Sequence, residues 1–149
     1  MISKILMPTD GSKTARKAAK YAVDLAEQLK ASMIVMSVID ERFLITQAVP
    51  AFATETHMME PTADYLRQMA ESYARKITEQ CDKKGIPSQV VITIGHPVED
   101  IVKRAGKLKA SLIVIGSHGR SALGAAVLGS VAYGVIHKDT GIPVLIVRR

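Results

Sequence analysis

Residues 111–119 read Ser111-Leu112-Ile113-Val114-Ile115-Gly116-Ser117-His118-Gly119, and after nine further residues the chain carries Gly129-Ser130. The apolar, β-branched run 111–115 suits a strand buried on both faces, as strands of parallel sheets are. The glycines begin where that strand should end. A chain leaving a buried strand turns sharply, and residues without a Cβ let backbone N–H groups come close to an anion. Gly129-Ser130 falls at the expected start of a helix over 131–138, where unpaired N–H groups and the helix dipole favour phosphate. A plain loop capped by a helix has the same spacing, so the glycines alone leave both readings open.

The other end of the chain offers a second strand end. A short apolar run over 2–7 stops at Pro8-Thr9-Asp10-Gly11-Ser12 and is followed by a long helical pattern. Proline is expected to stop ladder pairing, and Asp-Gly-Ser is turn and cap chemistry. Ligands of open α/β sheets bind outside the carboxyl ends of strands where the strand order reverses. Thr9, Asp10 and the Gly116 loop are therefore expected to line one crevice.

Between these ends, apolar runs alternate with helical patterns, the signature of α/β architecture with a parallel sheet. Strands are predicted at 2–7, 32–39, 88–94, 111–115 and 144–147, and helices at 13–30, 62–84, 98–107 and 131–138. Ser12 is a candidate N-cap, and Ala15, Ala18, Ala19, Ala22, Val23, Leu25, Ala26 and Leu29 give the first helix a broad apolar face. Right-handed crossovers favour one doubly wound five-stranded parallel sheet in the order 3-2-1-4-5, with helices on both faces. Residues 40–61 exceed the usual connection length. Phe43, Leu44, Ile45, Val49, Phe52, Met58 and Met59 make the segment too apolar for a solvated linker. It is read either as a lid or partner surface, or as a local helix packed on its own domain.

A chain of 149 residues fits a single domain, 1–149, that needs no disulfide staples. The one cysteine, Cys81, lies in a helical stretch without the His or Asn of a catalytic set, so packing or a helix surface is expected. No charged-then-apolar leader or apolar run of 18 residues occurs, which argues against secretion and membrane spanning. A cytoplasmic location is expected. The net charge of +6 invites a nucleic-acid reading. However, the cations are spread at the spacing of solvated helix faces, and the chain has no Trp and two Phe to serve as stacking platforms. A basic surface that steers an anionic nucleotide accounts for the charge better.

Enzyme signatures fail one by one. No Gly-x4-Gly-Lys-Ser/Thr or Gly-x-Gly-x-x-Gly occurs, and a hydrolase elbow would need glycine where Ile115 stands. Ser117 and His118 are consecutive, so their side chains are expected to point apart. His57, His96, His118 and His137 show no helical pairing or cysteine partner for zinc. They are expected on the surface or in loops, with the loop of His118 facing the ligand.

The combination Gly-x2-Gly-x9-Gly-Ser, PTDGS after the first strand and a second strand ending Ser37-Val38-Ile39-Asp40 resembles the nucleotide-binding subgroup of the universal stress protein family. The resemblance runs from Ile2 to Val147. It implies an ATP-binding sensor or regulatory module, with ADP and AMP left open and Mg²⁺ or Mn²⁺ on the phosphates. By matched position it implies that Pro8, Thr9 and Asp10 meet adenine and ribose, Asp10 by a ribose hydroxyl or by the metal. Val38 and Ile115 become adenine contacts, though core packing explains them equally well. Gly116 and Gly119 become close-approach positions, and Gly129, Ser130 and Val131 phosphate and ribose contacts. Ala132 stands where a hydroxyl residue can occur, so one triphosphate contact would be missing. No catalytic residue is implied, and at most weak ATP hydrolysis. The competing readings are a slow ATPase completed by an unidentified protein partner, and a dimeric interaction module that binds no nucleotide.

The resemblance also implies a homodimer. Val144–Val147 is apolar and falls at a sheet edge, with Pro143 before it and Arg148-Arg149 after it, so its centre is free to pair. Alternatively, a helix or the 40–61 segment covers that edge.

Overall fold

The computed structural model describes residues 1–48, 59–120 and 128–148. In chain order the elements are β1 (Lys4–Pro8), α1 (Lys13–Leu29), β2 (Ser32–Asp40), α2 (Glu41–Ala48), α3 (Met59–Lys83), β3 (Ser88–Gly95), α4 (Pro97–Lys107), β4 (Leu112–Gly116), α5 (Ser130–His137) and β5 (Val144–Val147). All strand pairs are parallel, and the order is β3-β2-β1-β4-β5. The central strands are buried on both faces, which is why they read as continuous apolar runs rather than alternating ones. β3 consists of exposed and half-buried residues up to the buried Gly95, as suits an edge strand.

Helices cover both faces. Against α1 and α3 pack Ile5, Met7, Met33, Val35, Leu112 and Val114. Against α4 and α5 pack Leu6, Ile34, Met36, Ile113 and Ile115. Full burial of each such side chain contributes about 1.5–3 kcal/mol. The side of α1 facing the sheet is Ala15, Ala18, Ala19, Ala22, Val23 and Ala26, and these short side chains let the helix axis lie close to the strands. Cys81 is fully buried in the same layer, and burial pushes its thiol up from its ordinary value, so it is a packing residue. Lys84, just past α3, reaches Asp24 at 2.8 Å and Glu27 at 2.5 Å on α1.

The ends of the elements follow local chemistry. Ser12 caps α1 by accepting from the Ala15 N–H at 3.1 Å, and Gly85, at φ +66°, takes the left-handed turn that ends α3. One expectation needs correction. Pro8 does not stop the ladder: it pairs in register with Met36, and the next residue, Thr9, donates its N–H to the Met36 carbonyl at 2.8 Å. Proline lacks only its own donor, so the ladder passes over it. Of the two readings of 40–61, the local helix is present over its described first part: α2 packs against α3 and β2. Val49, Phe52 and Met58 lie outside the described residues, and so does the lid reading as it concerns them.

β5 is the other edge. The Pro143 carbonyl accepts from Ile113 N–H and the Val147 carbonyl from Ser117 N–H, both at 2.9 Å. The backbone groups of 143, 145 and 147 therefore face β4, and those of Val144 and Ile146 face outward, because successive residues of a strand alternate.

Candidate functional site

At the carboxyl end of β1 the chain turns through Thr9, Asp10 and Gly11. Thr9 is buried, and its hydroxyl accepts from Gly11 N–H at 3.2 Å. Gly11 sits at φ +75°, a left-handed conformation natural to glycine. One carboxylate oxygen of Asp10 accepts from Ser12 N–H at 2.9 Å, and the other accepts from Arg120 N–H at 2.9 Å. The carboxylate therefore joins the PTDGS turn to the glycine loop after β4.

The loop after β4 is built around Ser117, which is 1% exposed. Its N–H donates to Val147, and its carbonyl accepts from Gly129 N–H at 2.6 Å. Two glycines are explained by contact within the protein. A Cβ on Gly119 would lie 2.7 Å from the Asp10 carboxylate, and one on Gly129 would lie 3.2 Å from the His118 Cα and 3.3 Å from both Gly119 N and the Ser117 carbonyl. Gly116 is also a close-approach position, but what approaches it is Thr14 of α1, whose Cγ2 and backbone would lie 3.1–3.2 Å from an added Cβ.

The Ser117 hydroxyl and His118 Nδ1 are 2.8 Å apart, contrary to the expectation that consecutive side chains diverge. Alternation belongs to strands, and Ser117 lies one residue beyond β4, where the backbone has left the pleat. His118 lies in the loop, as expected, and is buried there at 7% exposure.

Gly129 is the N-cap of α5, with extended angles of φ −71° and ψ 161°. Ser130 is exposed at the first turn, while Ala132 and Val135 face the core. Ala132 therefore turns its methyl toward the sheet. Ile115 is buried in the α4/α5 layer, and Val38 is half-buried against it. Ser130 and Val131 line a cleft of about 490 Å³ together with Arg42, His96, Val98 and Lys138. Gly119 thus lies against both the Asp10 carboxylate and Gly129, and Ser130 and Val131, which follow Gly129, line the cleft.

Charge is paired around the cleft. Arg42 meets Asp40 at 2.6 Å, His96 Nε2 meets Glu41 at 2.9 Å, and Lys138 meets Glu99 at 3.6 Å. Hydrogen bonding from Arg42, opposed by burial, holds the Asp40 carboxyl below its usual range. Among the described residues no group of three or more His, Cys, Asp or Glu could hold a metal ion, and no helix is long and apolar enough to cross a membrane.

Sequence reasoning did not single out four residues at the site. Arg120 follows Gly119 directly, and a cation beside a glycine loop was the signal available. Arg42 and His96 flank strand ends, where ligand contacts concentrate. Tyr73, in the middle of α3, carries no local signal.

The family model described as "Universal stress protein family" matches residues 1–148. Universal stress protein MJ0531 of Methanocaldococcus jannaschii is 32% identical over 149 residues, covering 100% of this chain and 84% of that protein. Universal stress protein YxiE of Bacillus subtilis is 30% identical, covering 99% of this chain and all of that one. The solved structure of MJ0577, described as a structure-based assignment of biochemical function, superposes with a TM-score of 0.84 at 34% identity, covering 100% of this chain and 97% of that one. The same fold occurs in a universal stress protein in complex with cAMP, at 24% identity and a TM-score of 0.67, covering 99% of this chain and 97% of that one. It occurs again in one from Archaeoglobus fulgidus in complex with dAMP, at 21% identity and a TM-score of 0.59, covering 99% and 98%.

Proposed function

The chain belongs to the universal stress protein family, and from that premise we propose that it is an adenine-nucleotide-binding module whose ligand is ATP. Binding would set the state of a cytoplasmic regulatory protein in the stress response. The observation that carries this reading is the convergence of Asp10, Gly119 and Gly129 from three places in the chain. A carboxylate fixed by two backbone N–H groups stands near a helix start whose N-cap residue, Gly129, has no side chain to cap it.

Each residue then has a role that follows from its chemistry. Asp10 accepts a ribose hydroxyl with its remaining lone pairs. The first-turn N–H groups of α5, with the Ser130 hydroxyl beside them, receive phosphate oxygens, favoured by the helix dipole. Val38, Ile115 and Val131 offer apolar contact to the base. Pro8, Thr9 and Gly116 shape the crevice floor. Ala132 brings no side-chain hydroxyl, and its methyl is turned to the core. The donor set fits a divalent cation carried in on the nucleotide: Asp10 could supply one oxygen, and phosphate and water the rest. Such an ion would neutralise phosphate charge. The cAMP and dAMP complexes of other proteins with this fold support an adenine ligand.

Mass spectrometry of small molecules released on heating the purified protein tests the reading. The expected ligand is ATP or its hydrolysis product, and calorimetry with ATP, ADP and AMP ranks the three. No released nucleotide, and no binding of any of them at millimolar concentration, would sink it.

A further inference from the structure

The carboxylate of Asp10 is held by a residue that is itself held by α3. Arg120 gives its backbone N–H to Asp10. Its guanidinium hydrogen-bonds the hydroxyl of Tyr73 on α3, and its Cζ lies 4.9 Å from the centre of the Tyr73 ring. A cation over an aromatic face is attracted by the ring quadrupole. The same half-buried ring covers Gly11, where a Cβ would fall onto the ring atoms. Arg16 donates to the Gly11 carbonyl at 3.3 Å. Tyr73 thus touches both loops that meet at Asp10: the PTDGS turn through Gly11 and the glycine loop through Arg120.

We infer that Tyr73 and Arg120 are positioning residues for the nucleotide site, fixing the Asp10 carboxylate and the Gly119 backbone without contacting ligand themselves. The inference rests on the nucleotide reading of this crevice and goes beyond it, because it gives α3, which carries none of the motif residues, control over affinity. Physically, the backbone N–H of Arg120 is placed by its own side chain. Once that side chain is released from the ring, residues 119 and 120 are free to leave Asp10, and the carboxylate loses one of its two fixed donors. Nucleotide must then bear the cost of reordering them.

The test uses the full chain and two measurements. Amide hydrogen exchange in the nucleotide-free protein reads the latch itself. Tyr73→Leu should speed exchange at Arg120, while Ile113 and Ile115 in β4 stay protected. Calorimetry with ATP reads positioning: Tyr73→Leu should weaken binding by about 3- to 30-fold, and Tyr73→Phe, which keeps the ring over Gly11 and under the guanidinium, should recover most of it. Arg120→Ala removes the stacking partner, leaves α3 untouched, and should match Tyr73→Leu. Unchanged exchange at Arg120 in both variants overturns the latch. Faster exchange with unchanged ATP affinity overturns the positioning role. If the unmodified protein binds no ATP, the nucleotide reading falls and positioning falls with it, while the exchange data still report whether the latch exists.

Discussion

The N–H of Gly129 donates to the carbonyl of Ser117 at 2.6 Å, so the start of α5 is fastened to the residue just past β4. Gly129 therefore has two duties. Its missing side chain lets the helix start lie against His118, Gly119 and the Ser117 carbonyl, and its N–H makes the fastening bond. Its backbone angles are extended, and any residue can adopt them. Gly129→Val should act by crowding alone. Loss of two charge-assisted hydrogen bonds, each worth about 1.5–3 kcal/mol, would weaken ATP binding by about 10²–10⁴-fold. Calorimetry on the folded variant checks this, and an unchanged affinity removes phosphate from this helix start.

Gly116 answers to packing. Gly116→Ala would put a methyl 3.1–3.2 Å from Thr14, partly against backbone. Backbone gives way poorly, and such overpacking costs about 1–3 kcal/mol. Urea unfolding without nucleotide should show that loss. A variant as stable as the parent would mean that α1 can shift away at no cost.

Turnover of ATP by the isolated protein should stay below about 1 s⁻¹, the low end of kinase rates. Fast phosphoryl transfer needs a positioned nucleophile and cationic charge stabilisation, whereas the carboxylate here is tied to two backbone N–H groups. Phosphate release measured on the purified protein and on an Asp10→Ala control decides the matter. Faster turnover that vanishes in the control would make the protein an enzyme.

A homodimer through β5 is expected at micromolar concentration by light scattering. Because Pro143 and Val147 face β4, the outward donors are those of Val144 and Ile146, and Leu145→Pro would break the strand's own ladder instead. Ile146→Pro deletes an outward donor and should shift the population toward monomer while β4 pairing persists. A parent protein that is monomeric throughout that range would rule out the interface.

Acid should weaken the tie between β2 and α2. The Asp40 carboxyl titrates below its ordinary value near 3.8, chiefly because Arg42 hydrogen-bonds it. The pair's contribution is therefore present above that ordinary value and is lost as pH falls through the lowered one. In Arg42→Ala the Asp40 midpoint should move upward, readable by carboxyl NMR titration. No movement would mean that Arg42 contributes nothing to holding the charge.

The sheet was legible because hydrophobic pattern and turn chemistry agreed along the chain: 111–115 had the continuous apolar run of a doubly buried strand, and Ser12 and Gly85 marked helix ends. The 8 residues of α2 give too few turns for a period to stand out inside an apolar segment. At the site, Asp10 and the glycines were visible as a pattern, since each must keep its type to let backbones meet. Tyr73 was not visible, because its meaning comes from a partner 47 positions away. The Ser117–His118 contact was misjudged because strand alternation was extended one residue too far.

Ser117 also ties the last strand into the crevice, since its N–H ends on the Val147 carbonyl while its own carbonyl holds Gly129. β5 is consequently no detachable trim on the sheet. Cutting the chain before Val147 would strand a donor in a residue that is 1% exposed, and the disturbance would reach the start of α5 through the Ser117 carbonyl that holds Gly129. Shortened or edge-altered forms of this protein therefore report on ligand affinity and self-association together, and neither loss can be ascribed to the edge until the other has been measured.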